Sequence, residues 1–397
     1  MQELISFQNR LLASTPESWS RFLLARLPKN TPRLGITGLP GTGKTTLLLQ
    51  YLRHFLRVAG QGLYVSADHP YFYTHSLLDL ALHQERYGAK LLVIDNLQAY
   101  PNAEEELDII QERCPSLQVV FAQSGGYRSQ DASSFILPGL SFREYLEYQH
   151  DISFPVVTLS DICSDHLSIT SLYLKDVKIL PLFRKYLLEG YFPGPGSTSS
   201  SSSSSASASS SSSVSTLQRL NQILDGVIGM QHRLDAKDLE LIKRLLGEIS
   251  TYLPYQPNIS QLARQFFLGR QTITTYMKQM ESAGLVHLMS KPGKGIQKPD
   301  KIYLNNLPFT HLCAPSHSEA LEYETFLLNQ VRYAGHTVTL TKDEQHFLID
   351  NECVLEVVGK EKARYQHMES TQAYLAQNDI EHGFAQVIPL WLFGMLY

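Results

Sequence analysis

"GLPGTGKTT", Gly38 to Thr46, is the stretch on which the reading of this chain turns. Its first eight residues fit the spacing G-x-x-x-x-G-K-[ST]. The apolar run "RLGIT" precedes it, and "TLLLQYLRHFLR", with leucines at helical spacing, follows. Strand, glycine-rich loop and helix in that order make a phosphate-binding loop. Gly38, Gly41 and Gly43 lack the Cβ that would keep successive N–H groups from turning toward phosphate oxygens. Pro40, Thr42 and Thr46 complete the expected nucleotide-binding set with them. Lys44 has the length to reach β- and γ-phosphates, and Thr45 offers a hydroxyl to Mg²⁺. The helix begins there, at its positive dipole end. The predicted ligands are therefore ATP and Mg²⁺.

Outward from the loop, "RLGITG", "GLYVSAD", "KLLVIDN" and "LQVVFAQS" are short apolar runs separated by helix-length segments. That alternation predicts an α/β fold with a parallel sheet covered on both faces. In "LLVIDNLQAYPN", four apolar residues lead to Asp95, a carboxylate at a strand end that suits Mg²⁺ through its water shell. Asn96 follows. A carboxamide can orient water but cannot take its proton near neutral pH. Lys44, Asp95, Asn96 and the polar strand-end residue Ser124 form the expected catalytic set, with Thr45 and Asp95 as the metal pair.

A chain of 397 residues is long enough for two or three domains with proper cores, and 43% hydrophobic against 18% charged residues describes a folded protein. A net charge of −4 excludes a general polyanion binder, so any basic surface is local. Cys114, Cys163, Cys313 and Cys353 lie far apart without a C-x-x-C pair. They suggest neither a zinc site nor a disulfide framework, and point to a reducing compartment. Glu3, Arg10 and Glu17 interrupt the first residues, and no run nears the ~20 apolar residues of a membrane span. The expectation is a cytoplasmic protein with no membrane partner.

"GPGSTSSSSSSSASASSSSSVS", Gly194 to Ser215, buries nothing and reads as a flexible tether or as a low-complexity insertion without a role. Beyond it Leu217, Leu220, Leu224 and Val227 recur at helical spacing, and a second helical stretch spans Leu239 to Leu253. "ISQLARQFFLGRQTITTYMKQMESAGLVHLM" then has the cadence of a winged helix-turn-helix. Ile273, Tyr276, Met277 and Met280 line one face, and Arg270, Gln271, Thr274, Thr275 and Lys278 the other. With Lys294 in the basic stretch "KPGKGIQKPDK", these are the candidate DNA contacts; a structural or partner-docking role stands beside that reading. In the tail, "HFLIDNECVLEVVGKEK" alternates like a hairpin carrying Asp350, Glu356 and Lys360. The spacing departs from a metal-dependent nuclease, which puts Asp on one strand and Glu-x-Lys on the next.

These segments resemble the bacterial and archaeal AAA-type ATPases in which a P-loop domain precedes a C-terminal domain of unknown function. The resemblance rests on "GTGKTTLLLQ", "LLVIDNLQAYPNAEEEL", "LPGLSFREYL", "FRKYLLEGYFPG", "NISQLARQ", "LEVVGKEK" and the closing "IPLWLFGMLY". It implies an additional-strand P-loop fold, in which the Asp95 strand sits one strand removed from the loop strand. It further implies a winged-helix module and a nuclease-like C-terminal domain. The resulting division is 1–150 ATPase domain, 151–193 helical extension, 194–215 linker, 216–307 helical and winged-helix domain, and 308–397 α+β domain of degenerate nuclease type.

The chain departs from the family where Asp-Glu becomes Asp95-Asn96, and where a Gly-Ser-Ser and arginine pair becomes "GGYRSQDASSFILPG" with only Arg128 nearby. His346 stands where the family more often has Asp. The leading expectation is an ATP-binding switch, weak or inactive in hydrolysis, coupled to the winged helix. A DNA- or partner-binding adaptor with a structurally occupied P-loop is the alternative, and an ATP-regulated nuclease a more remote one. AAA-type sites often borrow a residue from a neighbouring subunit, so a homo-oligomer stays open.

Overall fold

The structure, a computed structural model, describes residues 1–29, 31–59, 61–125, 133–175, 177–194, 215–229, 234–293, 298–359 and 373–397. Arg128, Lys294, Lys360 and residues 195–214 of the serine run lie outside them. The chain divides into two compact units, Met1–Pro138 with Asp225–Arg233, and Gly139–Leu224 with Leu234–Tyr397.

In the first unit, β1 (Arg33–Gly38), β2 (Gly62–Ser66), β3 (Leu91–Asp95), β4 (Gln118–Ser124) and β5 (Ser133–Ile136) form one sheet in the order β2-β3-β4-β1-β5. All its pairings are parallel. β4 thus separates the Asp95 strand from the loop strand, as the resemblance implied. Its helices are α1 (Gln2–Ser14), α2 (Phe22–Arg26), α3 (Lys44–Ala59), α4 (Leu77–Arg86) and α5 (Ala103–Arg113).

Every residue of β3 is buried, and alternate side chains serve opposite cores. Leu92 and Ile94 join Leu77, Leu80, Leu107 and Ile110 of α4 and α5, while Leu91 and Val93 join Leu47, Leu48 and Leu52 of α3. A strand buried on both faces must be apolar throughout, so the unbroken run "LLVI" reads as a central parallel strand rather than an alternating one. β5 was not legible, since "SSFI" is too short and polar to stand out.

The second unit opens with α6 (Phe142–His150), whose Ser141 and Glu144 make a reciprocal capping box. α7 (Leu159–Tyr173) and α8 (Ile179–Glu189) follow. Later in the unit α9 (Ala236–Thr251), α10 (Ile259–Gln265) and α11 (Arg270–Ser282) precede an antiparallel ribbon of β6 (Val286–Met289) and β7 (Lys301–Leu304). Next come α12 (Leu307–Cys313) and α13 (Glu319–Tyr333). A mixed sheet completes the unit, in the order β12-β11-β10-β9-β8: β8 (Val338–Leu340), β9 (Phe347–Ile349), β10 (Cys353–Val358), β11 (Ala373–Gln377) and β12 (Val387–Pro389). No helix among the described residues is long and apolar enough to cross a membrane.

"LSFREYL" and the closing "WLFGMLY" meet inside this unit. Ser141 Oγ and Arg143 Nε both donate to the Tyr397 carbonyl, at 2.7 and 3.0 Å. All of Leu390–Met395 is buried in a 3-10 turn. A Cβ added at Gly394 would come within 2.5 Å of Phe142 Cβ. Gly394→Ala is therefore expected to overpack this contact and lower stability by about 1–3 kcal/mol. Urea unfolding followed by tryptophan fluorescence, with Trp391 buried beside the substitution, reads the loss.

Candidate functional site

The C-terminal edge of the parallel sheet brings the ends of β1, β3 and β4 side by side, with Gly38 in register with Ser124. Ligands of open α/β sheets bind at this edge. β1 ends at Gly38, where a Cβ would stand 2.4 Å from the Leu137 carbonyl oxygen, so no other residue fits without a shift. Gly41 and Gly43 take φ of 82° and 94°, the left-handed region that a side chain disfavours. The loop is also held from within and from below. Thr42, fully buried, donates through its hydroxyl to the Leu39 carbonyl at 2.9 Å. Arg21, a buried guanidinium, donates to the carbonyls of Thr42 at 2.5 Å and Pro138 at 2.9 Å.

Lys44 opens α3 and is buried; its Nζ donates to the Gly38 and Leu39 carbonyls at 2.9 Å each. An ammonium has three donors, so this bonding leaves capacity for a phosphate oxygen. Burial pushes the Lys44 amine down to about 8, against the opposing pull of Asp95. Thr45 Oγ1 donates to Asp95 Oδ2 at 2.5 Å, which places the proposed metal pair in direct contact. Asp95 is 1% exposed and accepts two further bonds: Tyr64 Oη donates to Oδ2 at 3.0 Å, and the Asn96 N–H to Oδ1 at 2.8 Å. The Tyr64 phenol is pushed far up, by burial first and by the Asp95 carboxylate second, so it acts only as a donor here. A hydroxyl and a carboxylate at hydrogen-bond distance beside a glycine cradle and a buried lysine fit a magnesium nucleotide.

Asn96 lies in the left-handed region at φ 52°, and its Nδ2 donates to Ser66 Oγ at 3.1 Å. Ser66 Oγ in turn donates to the Asp68 carboxylate. The carboxamide is thus tied to the end of β2. The Ser124 backbone N–H donates to Gln98 Oε1 at 3.0 Å, which links the end of β4 to the turn after Asp95. Sequence reasoning missed Arg21, Tyr64 and Gln98. None belongs to a spaced motif; only the position of Tyr64 on the strand beside β3 carries a signal.

The second unit disposes of the remaining candidates separately. On α11, Ile273, Tyr276, Met277 and Met280 are buried. Arg270, Gln271, Thr275 and Lys278 are exposed, and Thr274 is half-buried. Lys291, in the basic stretch, pairs with Glu344 at 2.5 Å. Asp350 and Glu356 are not brought together. Asp350 follows β9 at φ 51° and takes His336 Nδ1 at 2.6 Å and the Thr337 N–H at 2.8 Å. Glu356 on β10 faces His346 instead, 4.0 Å away.

A family model described as an AAA domain matches residues 30–146. No protein of curated function matches the chain. Among solved structures, the AMPPCP-bound DnaA from Aquifex aeolicus is 12% identical, covering 70% of this chain and 88% of its own, with a TM-score of 0.23. Domain III of the Thermotoga maritima replication initiation protein DnaA is 15% identical over 46% of this chain and 92% of its own, with a TM-score of 0.25. C. elegans PCH-2 is 11% identical over 70% and 69%, with a TM-score of 0.24. At such scores these likenesses carry no functional weight. The fold rests instead on the strand order, the loop with its buried lysine and the family model, which agree that residues 30–146 form an AAA-type P-loop domain.

Proposed function

We propose that this protein binds ATP with Mg²⁺ and hydrolyses it slowly or not at all, acting as a nucleotide-dependent switch. The observation that carries the reading is the Thr45–Asp95 contact beside the buried Lys44. Gly38, Gly41 and Gly43 would admit the phosphates to the loop N–H groups, with Lys44 on the β- and γ-phosphates. Pro40, Thr42 and Thr46 shape and extend that loop. Thr45 and Asp95 would hold the metal, which when bound supplies charge neutralisation at the terminal phosphates. At Asn96 the side chain has no titratable acceptor and donates to Ser66, so no base is aimed at a water from this position.

A positioned base contributes ~10²–10⁴-fold to rate. Asn96→Glu is expected to raise phosphate release toward the lower end of that range. It should also cost about 1–2 kcal/mol of stability, because Glu is disfavoured at a left-handed φ. Release assays beside Lys44→Ala decide it: brisk wild-type turnover abolished by Lys44→Ala would overturn the slow-hydrolysis reading. Failure of ATP to bind at millimolar concentration would overturn the nucleotide reading itself.

The depressed lysine gives a second test. Below about pH 8 the Lys44 ammonium is present before ligand arrives; above it, binding must draw in a proton. ATP affinity is therefore expected to be flat below that pH and to weaken by up to ~10-fold per unit above it. Calorimetry between roughly pH 7 and pH 9.5 measures this beside Lys44→Arg, whose guanidinium stays charged throughout. Equal profiles for the two proteins would remove the argument from burial.

A second reading rests on α11 and its ribbon. Three helices followed by an antiparallel pair, with Tyr255 bridged to Ile302, suit a winged helix. The exposed row Arg270, Gln271, Thr275 and Lys278, with Thr274 beside it, suits DNA backbone and base edges. Lys294, in the basic stretch, would add a further phosphate contact. If it does bind duplex DNA, Arg270→Ala with Lys278→Ala should cut the slope of log affinity against log salt by roughly two. Fluorescence anisotropy across a salt series measures it, and an unchanged slope would leave the module to structural or partner contacts.

A further inference from the structure

The residues joining α12 to α13 hold three metal-ligand types within reach of one another. His311 lies in the last turn of α12, His317 in the connection and Glu322 in the first turn of α13. Both imidazoles aim Nε2 at the same carboxylate oxygen: His311 stands 3.1 Å and His317 2.6 Å from Glu322 Oε1. The three ligand atoms all lie within 4.8 Å of one another, and the rings stack with centroids 5.2 Å apart.

The protonation of His317 sharpens the point. Its Nδ1 sits 2.6 Å from the Ala314 carbonyl oxygen, which can only accept, so Nδ1 carries a proton. In the neutral ring Nε2 then presents a lone pair to an acceptor oxygen 2.6 Å away. A cation between that lone pair and the carboxylate would be bonded by both. An imidazole that donates its other N–H to a backbone carbonyl is the arrangement found behind metal ligands.

We propose that His311 Nε2, His317 Nε2 and the Glu322 carboxylate form a site for a zinc-class divalent cation, with the fourth position left to water. Two imidazoles and a carboxylate are a ligand set zinc accepts, whereas Mg²⁺ and Ca²⁺ favour oxygen alone. Ligand atoms at zinc distances in a tetrahedron stand roughly 3.3 Å apart, so the 3.1 Å between His311 and Glu322 already suits and the 2.6 Å between His317 and Glu322 would widen slightly. His317 is 9% exposed and its partners 23% and 20%, which shields the ion while leaving one side open to solvent. Among the described residues the cluster consists of these three ligand-type side chains. Bound metal would clip the end of α12 to the start of α13, independently of the nucleotide site.

The test uses untagged full-length protein, stripped with EDTA and desalted, then titrated with ZnCl₂ and separately with MgCl₂ by calorimetry. One zinc per chain is expected, lost in Glu322→Gln and in His311→Ala, with any magnesium heat the same in both variants as in the wild type. Absent binding to the wild type, or equal binding to wild type and Glu322→Gln, overturns the site. Should either variant melt early, Co²⁺ added to the stripped wild type decides. Visible absorption of a four-coordinate cobalt centre supports the site, and a spectrum of aqueous cobalt overturns it.

Discussion

Everything in the first unit is arranged around a positive charge held away from water. Lys44 is buried, and an isolated ammonium in such a place would be costly. Three things offset that cost: the carbonyls of Gly38 and Leu39, the field of Asp95, and the depressed protonation that burial itself brings. Two carbonyls separated by one peptide can converge on one nitrogen only if the loop curls back over it. The left-handed turns at Gly41 and Gly43 permit that curl. The sheet order sets β4 between β1 and β3, and from the end of β3 Asp95 still meets Thr45.

How much of this the sequence disclosed depends on the range of the interactions. The loop, its lysine and the threonine are local, so their spacing is their geometry, and "GLPGTGKTT" could be read directly. Asp95 was legible because a doubly buried strand must be apolar up to its last residue. Arg21 was not, because what fixes it is a pair of carbonyls at residues 42 and 138, and no pattern in sequence encodes a contact of that separation. Tyr64 was hidden for the same reason: an aromatic on a buried strand looks like packing, and its bond to Asp95 appears only when β2 lies against β3.

The second unit divides the same way. On α11 the apolar stripe was plain from its period, and Ile273, Tyr276, Met277 and Met280 are buried as that period required. The pairing of "LSFREYL" with "WLFGMLY" joins residues 141 and 143 to residue 397, a contact the sequence gives no means to infer. In the tail the spacing already departed from a metal-dependent nuclease, and the antiparallel register sets Leu355 against Phe347, carrying Glu356 toward His346 and leaving Asp350 in the turn with His336.

Asn96 joins the backbone argument to the chemical one. Its residue type looked at first like a missing base, a statement about hydrolysis alone. Its φ of 52° gives another reason for the same residue, because Asn tolerates the left-handed region better than Glu does. Its N–H caps Asp95 Oδ1 while its carboxamide reaches Ser66, so one residue both shapes the carboxylate beside Thr45 and fastens the ends of β2 and β3 together. A glutamate here would have to keep that backbone and forgo the amide donor to Ser66, placing its charge near the Ser66-bound Asp68 carboxylate. Local geometry and catalytic power therefore pull this position in opposite directions, and in this chain the side chain that serves the geometry is the one present.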